Sequence, residues 1–470
     1  MPSPEADPVK IQRLLIITSS GGGGLLQAAN AKEQEARAKN PDIVIVRKDL
    51  LKDWMGTVFG NFCSERWNSA QIKGDVAALR FFIASQYFFD YLCWPYLFIC
   101  ALYALFKEDV DHVIDTQPIG TSAILKALRI YNYMRGKKVH LQKILVDLPT
   151  KAATHFFRPI KRLTKNDRLW LQLTTIAPLL EEGQTAEQFW QTNCNLSERE
   201  IHYEDVYVRQ SFRKYQYRPR KNEEQLIFLR YKNEEELYLM QKTYAKSVLK
   251  NVAVKEGQVH FSIPPESRMI TILLGSQPAN EATFNYVKKF IEVAQESNCS
   301  KQPCYLFVFC SEHVPGQHSL FHKVFEYVDQ IKNYPSSLIV VPFSFQNDDV
   351  IAPLFYRSDL TCTRSGGQTA MELICVSSGE IWIHSETKQD PNQKEDLSLE
   401  QLLEGIPGWE AANALYLQKI RGASVVTPDT FAPKARRFFH IAEQRDHSMP
   451  VSAPIRQETE LEHAAFRQNP

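Results

Sequence analysis

The sequence predicts an α/β protein made of two Rossmann-like domains that face each other across a cleft, with a helical insertion between them. Short apolar runs, such as the one within residues 11–20, are typical of parallel strands buried on both faces. A turn and a helix-like segment follow each run, and this alternation begins near Ile11 and again near Met269. At 470 residues the chain also exceeds what one core usually supports, which favours two domains of roughly 200 residues.

Composition narrows the class of protein. A net charge of +1 argues against a general nucleic-acid binder, so we expect no nucleic-acid partner. The nine cysteines are scattered, without the paired short spacings of a zinc site, which indicates reduced thiols in a cytosol-like compartment. The first ten residues are polar and lack the apolar core of a signal peptide. We therefore expect a cytoplasmic protein.

Residues 88–106 form an almost wholly apolar stretch that could change this expectation. Its length would permit a membrane span. Asp90 and Pro95 lie within it, and it stands between segments that resemble soluble domains, which favours a buried helix or one that touches a membrane surface. Peripheral membrane association is thus part of the prediction.

The first domain is predicted over residues 11–220, after a flexible N-terminus at 1–10. Its first strand leads into four consecutive glycines, a helix over 25–39 and a second strand over 43–49. The glycine run does not reproduce the GxGxxG spacing of dinucleotide sites, so a nicotinamide cofactor is disfavoured. Ser20, Gly22, Gly23 and Gly24 of this loop are candidate site residues.

Asp147 follows a strand predicted over residues 139–146, and His155 lies a few residues further on. Ligands bind at the carboxyl ends of strands in open parallel sheets, so both side chains are candidates for chemistry. Taken separately, the two residues fit an N-cap Asp and a loop His better than catalytic groups.

A helical connector is predicted over residues 221–265, and a second domain over 266–447 before a polar tail at 448–470. Within the second domain, Gly366 and Gly367 stand where a strand gives way to a helix. Such a turn lets the backbone approach a ligand, and the free N–H groups of the new helix suit a phosphate. Thr369 adds a hydroxyl, and Glu372 lies where it could accept hydrogen bonds from a ribose. A tight turn with a solvated Glu is the alternative.

Six motifs occur in order along the chain, at residues 19–24, 146–159, 208–212, 274–276, 364–372 and 408–422. Their order and spacing resemble the GT-B glycosyltransferases over most of residues 11–220 and 266–430. The resemblance is to the group containing bacterial MurG, plant monogalactosyldiacylglycerol synthases and bacterial diacylglycerol glucosyltransferases. It implies that the C-terminal domain holds a UDP-sugar and that the N-terminal domain shapes the acceptor site.

The resemblance also assigns roles to residues of the second domain. It implies that the diphosphate is met at the glycine turn, that Glu372 or Glu410 binds ribose or sugar hydroxyls beside Asn413, and that Phe343 flanks the base. The complete set implied for the nucleotide sugar is Gly275, Ser276, Phe343, Arg364, Ser365, Gly366, Gly367, Gln368, Thr369, Glu372, Glu410 and Asn413.

Three positions depart from the family pattern. Leu25 stands where glycolipid-forming members have a His after the glycine loop, and Trp409 replaces a Gln before Glu410. The family His of the strand-end loop falls near Ala152, whereas His155 lies three residues later. These departures place the acceptor half further from the family than the donor half.

The sequence therefore predicts an inverting, metal-independent transfer of a hexose or N-acetylhexosamine from a UDP-sugar to a lipid or other hydroxyl acceptor. Asp147, aided by His155, is the predicted base, and no cofactor other than the donor is expected. Two alternatives stay open. One is a catalytically retired scaffold with a binding or regulatory role, favoured by Leu25, and the other is a UDP-sugar epimerase.

Overall fold

The computed structural model describes residues 12–219, 223–247, 252–296, 303–389 and 397–444. The flexible N-terminus predicted at 1–10 and the polar tail predicted at 448–470 lie outside these ranges. Within them, two parallel α/β halves are joined by a smaller antiparallel sheet.

The first half is built on a parallel sheet with the strand order β2-β1-β3-β4-β5-β6. Residues 14–17 of β1 are all buried, because the strand has neighbours on both sides and helices on both faces. The strands are β1 (Arg13–Thr18), β2 (Val44–Asp49), β3 (His112–Asp115), β4 (Leu141–Ile144), β5 (Leu171–Thr175) and β6 (Ile201–Tyr203). The helices are α1 (Gly23–Lys39), α2 (Thr57–Lys73), α3 (Val76–Leu92), α4 (Trp94–Glu108), α5 (Thr121–Arg135), α6 (Thr154–Lys161), α7 (Lys165–Arg168), α8 (Ala186–Cys194) and α9 (Gln210–Arg213).

The apolar stretch 88–106 is not one helix, which corrects the prediction. It is divided at Cys93 between α3 and α4, which are bent by 71° relative to each other. Pro95 stands in the first turn of α4, where its missing N–H costs nothing, so it starts a helix without kinking one. In the described part of the chain no single helix is long and apolar enough to cross a membrane, although α3 and α4 taken together meet that test.

The connector predicted as helical contains one helix, α10 (Glu234–Tyr244), but is mainly an antiparallel sheet of order β7-β9-β8. Its strands are β7 (Gln225–Arg230), β8 (Val252–Lys255) and β9 (Gln258–Ile263). Buried positions alternate with exposed ones in β7 and with half-buried ones in β9, as expected of a sheet with one solvated face.

The second half has the parallel strand order β12-β11-β10-β13-β14-β15, which is the Rossmann order. Its strands are β10 (Arg268–Leu273), β11 (Cys304–Phe309), β12 (Leu338–Phe343), β13 (Leu360–Thr363), β14 (Glu380–His384) and β15 (Ser424–Val426). Its helices are α11 (Asn280–Glu296), α12 (Leu320–Gln330), α13 (Asp348–Arg357), α14 (Gly367–Val376), α15 (Leu399–Glu404), α16 (Gly408–Arg421) and α17 (Phe431–Gln444).

Candidate functional site

The strand order of the second sheet reverses between β10 and β13, and ligands of Rossmann-like sheets bind at this switch point. The turn after β10 carries Gly275, whose φ of +84° is a left-handed conformation that favours glycine. After β13, Gly366 is the N-cap of α14. Both predicted donor turns therefore lie at the switch point.

The first half packs directly against the N-terminus of α14. A Cβ built at Gly367 would lie 2.3 Å from the carbonyl oxygen of Val146 and 2.6 Å from Oδ1 of Asp147. A Cβ built at Gly23, in the glycine loop, would lie 2.9 Å from Oγ of Ser276. Glycine is needed at these places because the two halves touch there. The first half therefore occupies the space beside the N-terminus of α14, where the phosphate site was predicted.

Asp147 and His155 form a pair at this contact. Nε2 of His155 lies 2.8 Å from Oδ2 of Asp147, and both residues are buried. The other ring nitrogen, Nδ1, has no hydrogen-bond partner among the described residues. Nδ2 of Asn413 donates to Ser365 O at 2.9 Å and to Oδ1 of Asp147 at 3.3 Å. A side chain of the second half therefore orients the predicted base of the first.

Glu410 lies in the first turn of α16, with 9 % of its surface exposed. A Cβ built at Gly366 would be 4.0 Å from Oε1 of Glu410, so this carboxyl faces the start of α14. Burial raises the pKa of Glu410 from 4.5 to about 7; the Arg364 cation opposes the shift and Asp147 adds to it. Such a group can gain or lose a proton near neutral pH.

This shift predicts a pH-dependent stability. Below pH 4.5 Glu410 is protonated in both folded and unfolded chains, and as pH rises towards 7 only the unfolded chain releases the proton. The folded state should lose roughly 3 kcal/mol over this interval. Glu410→Gln should not lose this increment, so urea unfolding at pH 4.5 and pH 8 should show a smaller decrease in the variant. Equal decreases would show that Glu410 titrates normally.

Glu372 is held by Arg209, a residue that sequence reasoning did not single out. Nε and Nη2 of Arg209 donate to Oε1 of Glu372 at 3.1 and 2.8 Å, and Nη1 pairs with Asp348. Burial raises the pKa of Glu372, and Arg209 opposes that shift. Nε2 of Gln368 also donates to this carboxyl, so the Gln368 side chain runs along α14 instead of towards the predicted diphosphate.

A second ion pair lies on the other side of the α14 N-terminus. Nη2 of Arg364 donates to Glu386 at 2.8 Å and to the carbonyl of Gln71 at 3.0 Å. Burial alone would raise the pKa of Glu386, but His384 and Arg364 together lower it to about 2. The predicted cation of the leaving-group site is thus engaged by a carboxylate that was not predicted.

The other predicted residues divide between the contact and the core. Phe343, predicted beside the base, is fully buried and packs on Phe309, whereas Phe345 is 37 % exposed. Thr369 is half-buried in the first turn of α14. In the glycine loop, the backbone N–H of Ser20 donates to Asp49. Gly22 caps α1, and Gly24 packs near Gln368.

The residues that were missed follow rules that the sequence already offered. Glu386 comes just after the carboxyl end of β14, the same position that singled out Asp147 after β4. Arg209 lies inside the motif at 208–212, and Asp348 is the first residue of α13. Among the described residues, no group of three or more His, Cys, Asp and Glu side chains is placed to hold a metal ion.

The carboxyl edges of the two parallel sheets meet at this site, since the turns after β1 and β4 contact those after β10 and β13. The fold is of the GT-B type. No protein-family model matches the sequence, and no curated protein matches it.

Solved structures of similar fold include glycosyltransferases and epimerases. MurG from Acinetobacter baumannii is 12 % identical and covers 97 % of this chain and 99 % of its own, with a TM-score of 0.40. UDP-GlcNAc 2-epimerase from Neisseria meningitidis, bound to UDP-GlcNAc, is 10 % identical over 98 % of this chain and 100 % of its own, with a TM-score of 0.42. The ADP-heptose LPS heptosyltransferase II of E. coli is 9 % identical over 92 % of this chain and 100 % of its own, with a TM-score of 0.32.

Proposed function

We propose that the protein is an inverting, metal-independent glycosyltransferase that moves a hexose or N-acetylhexosamine from a UDP-sugar to a lipid or other hydroxyl acceptor. The observation that carries this proposal is the position of Asp147. Its carboxylate, paired with His155, lies against the N-terminus of α14 at the switch point of the second sheet. A carboxylate beside a helix end suited to a diphosphate supports the role of base that we propose for Asp147.

In this mechanism Asp147 takes the proton of the acceptor hydroxyl, while His155 holds the carboxylate in position. The acceptor oxygen attacks the anomeric carbon on the face opposite UDP, and the bond from that carbon to the phosphate oxygen breaks. UDP departs with the bonding electrons, and the free N–H groups at Gly367 and Gln368 stabilise its charge. The donor enters after the halves separate, and their closure excludes water.

A lipid acceptor is favoured by the apolar surface of the first half. Tyr91, Tyr96, Ile99 and Tyr103 on α3 and α4 are each more than half exposed. Aromatic and aliphatic side chains at the surface of bent helices suit the headgroup boundary of a membrane. We therefore place the protein in the cytoplasm with peripheral membrane contact.

The test is release of UDP from a panel of UDP-sugars by the purified chain, with Glu372→Ala compared with the wild type. We expect slow release from one sugar and its loss in the variant, because the ribose loses its carboxylate partner. Glu400→Ala, on the exposed surface of α15, is the matched control and should release UDP at the wild-type rate. Conversion of the sugar without release of UDP would instead identify an epimerase.

A retired scaffold is the second candidate, favoured by the filled space at Gly367 and by Leu25 in place of the family His. Absence of UDP release from every sugar, together with no shift of the unfolding temperature by UDP, would support this binding or regulatory role.

A further inference from the structure

The helices α2 and α3, residues 57–92, form an arm. This arm covers the predicted donor site. Trp67 of α2 stacks on Trp409 of α16, with ring centroids 6.2 Å apart and planes inclined by 27°. Nη2 of Arg80 donates to the carbonyls of Glu404 and Ile406 at 2.9 and 3.2 Å. These contacts tie the arm of the first half to the second half.

Little space remains beneath the arm. Gly74, Val76 and Leu79 enclose, with Arg364 and Glu410, a cavity of about 10 Å³. That volume is about enough for one water molecule, and no sugar could enter it. Because Glu410 and Arg364 belong to the predicted donor site, the site can accept a nucleotide sugar only when the arm moves away.

The arm is attached in a way that suits movement. Its buried contacts with the second half form a small cluster of Ala70, Leu79 and Trp409, separate from the main cores. It begins after Gly56, with φ of +92°, and bends at Gly74, with φ of +65°. Few buried apolar contacts are the mark of segments that open locally.

The outer face of the arm carries exposed apolar side chains that no described element covers. Val58, Phe81 and Tyr91 are 87 %, 70 % and 83 % exposed. Between Phe81 and Phe106 the only charged residue is Asp90, whose carboxylate accepts a hydrogen bond from the backbone N–H of Gly120 at 2.7 Å. An apolar, aromatic face of this kind, continuous with α4, fits a lipid bilayer.

We propose that the arm is a lid over the donor site and that binding of its outer face to a bilayer draws it away from Trp409 and opens the site. This rests on the proposed function, since it assumes that a UDP-sugar binds beneath the arm. Residues 57–108 carry four basic and four acidic side chains, so apolar burial and not charge drives the contact. The protein should therefore bind neutral phosphatidylcholine vesicles, and added salt should not dissociate it from them.

The experiment measures the dissociation constant of UDP for the full chain, with and without phosphatidylcholine vesicles. Arg80→Ala, which removes the two carbonyl contacts, should tighten UDP binding about tenfold without vesicles, because the open state becomes more populated. Trp67→Ala provides a second way to loosen the lid. Arg66→Ala is the matched control, because Arg66 is exposed on α2, the helix of Trp67, and lies over Phe62. It should bind UDP as the wild type does.

Vesicles should tighten UDP binding to the wild type about tenfold and shift the fluorescence of the Trp67–Trp409 pair. Phe81→Asp should abolish the vesicle effect and leave the vesicle-free affinity unchanged. Equal UDP affinities for the wild type, Arg80→Ala and Trp67→Ala, with or without vesicles, would overturn the lid and leave the proposed function intact. If the chain forms a concentration-dependent dimer and does not bind vesicles, a second copy and not a bilayer occupies the apolar face. If no variant binds UDP under any condition, the proposed function fails and the lid with it.

Discussion

Replacing Asp147 with Asn is expected to lower the turnover number of sugar transfer by about 10²–10⁴-fold, the range typical for loss of a general base. The amide keeps the size of the carboxylate and can still accept the hydrogen bond of Asn413, so the closed contact at Gly367 should persist. UDP affinity and unfolding temperature should therefore stay at wild-type values. The measurement is single-turnover transfer from the donor identified by UDP release.

Glu181→Gln is the matched control for this variant. Glu181 is exposed and pairs at 2.6 Å with Lys151, which lies on the loop just after Asp147. Exposed pairs of this kind contribute little, so the rate should change by less than about twofold. A turnover number of Asp147→Asn within about fivefold of the wild type would exclude Asp147 as the base, since loss of a base costs far more.

The strands were predictable because the physics that forms them is local. Residues 14–17 are a continuous apolar run since β1 is buried on both faces, and the run can be read without knowing its neighbours. The glycines at 366 and 367 were found for a similar reason, because a strand, a tight turn and a helix follow one another in the sequence. Their predicted ligand contacts remain a prediction.

The errors arise where the decisive contacts are distant in sequence. Hydropathy marks residues 88–106 as apolar but contains no signal for the 71° bend at Cys93, after which α4 packs on α5. The strands β7 to β9 are short and lie around the charged helix α10, so their alternation was concealed within a helix-like composition.

The same argument explains why Arg209 was missed and why its replacement should have the largest effect on stability. Its partners Glu372 and Asp348 are 163 and 139 residues away, so no local sequence pattern predicts these ion pairs. Arg209→Met leaves the Glu372 carboxyl buried without a counterion, which typically costs about 3–5 kcal/mol. Urea unfolding at pH 8 should show this loss, measured as the free energy of unfolding.

The pH dependence and a second substitution distinguish the lost charge from lost packing. Burial already raises the pKa of Glu372, and removal of Arg209 raises it further. Protonation of Glu372 should therefore restore part of the stability of Arg209→Met as pH falls towards 5. Adding Glu372→Gln should restore most of the stability at pH 8. Arg213→Met is the control, because Arg213 ends the short helix α9, which Arg209 caps, and its side chain is 42 % exposed. This substitution should lower the free energy of unfolding by less than about 0.5 kcal/mol. A loss in Arg209→Met that is equal at pH 5 and pH 8 would show that the contact of the Arg209 guanidinium with the Phe212 ring matters more than its pairing with Glu372.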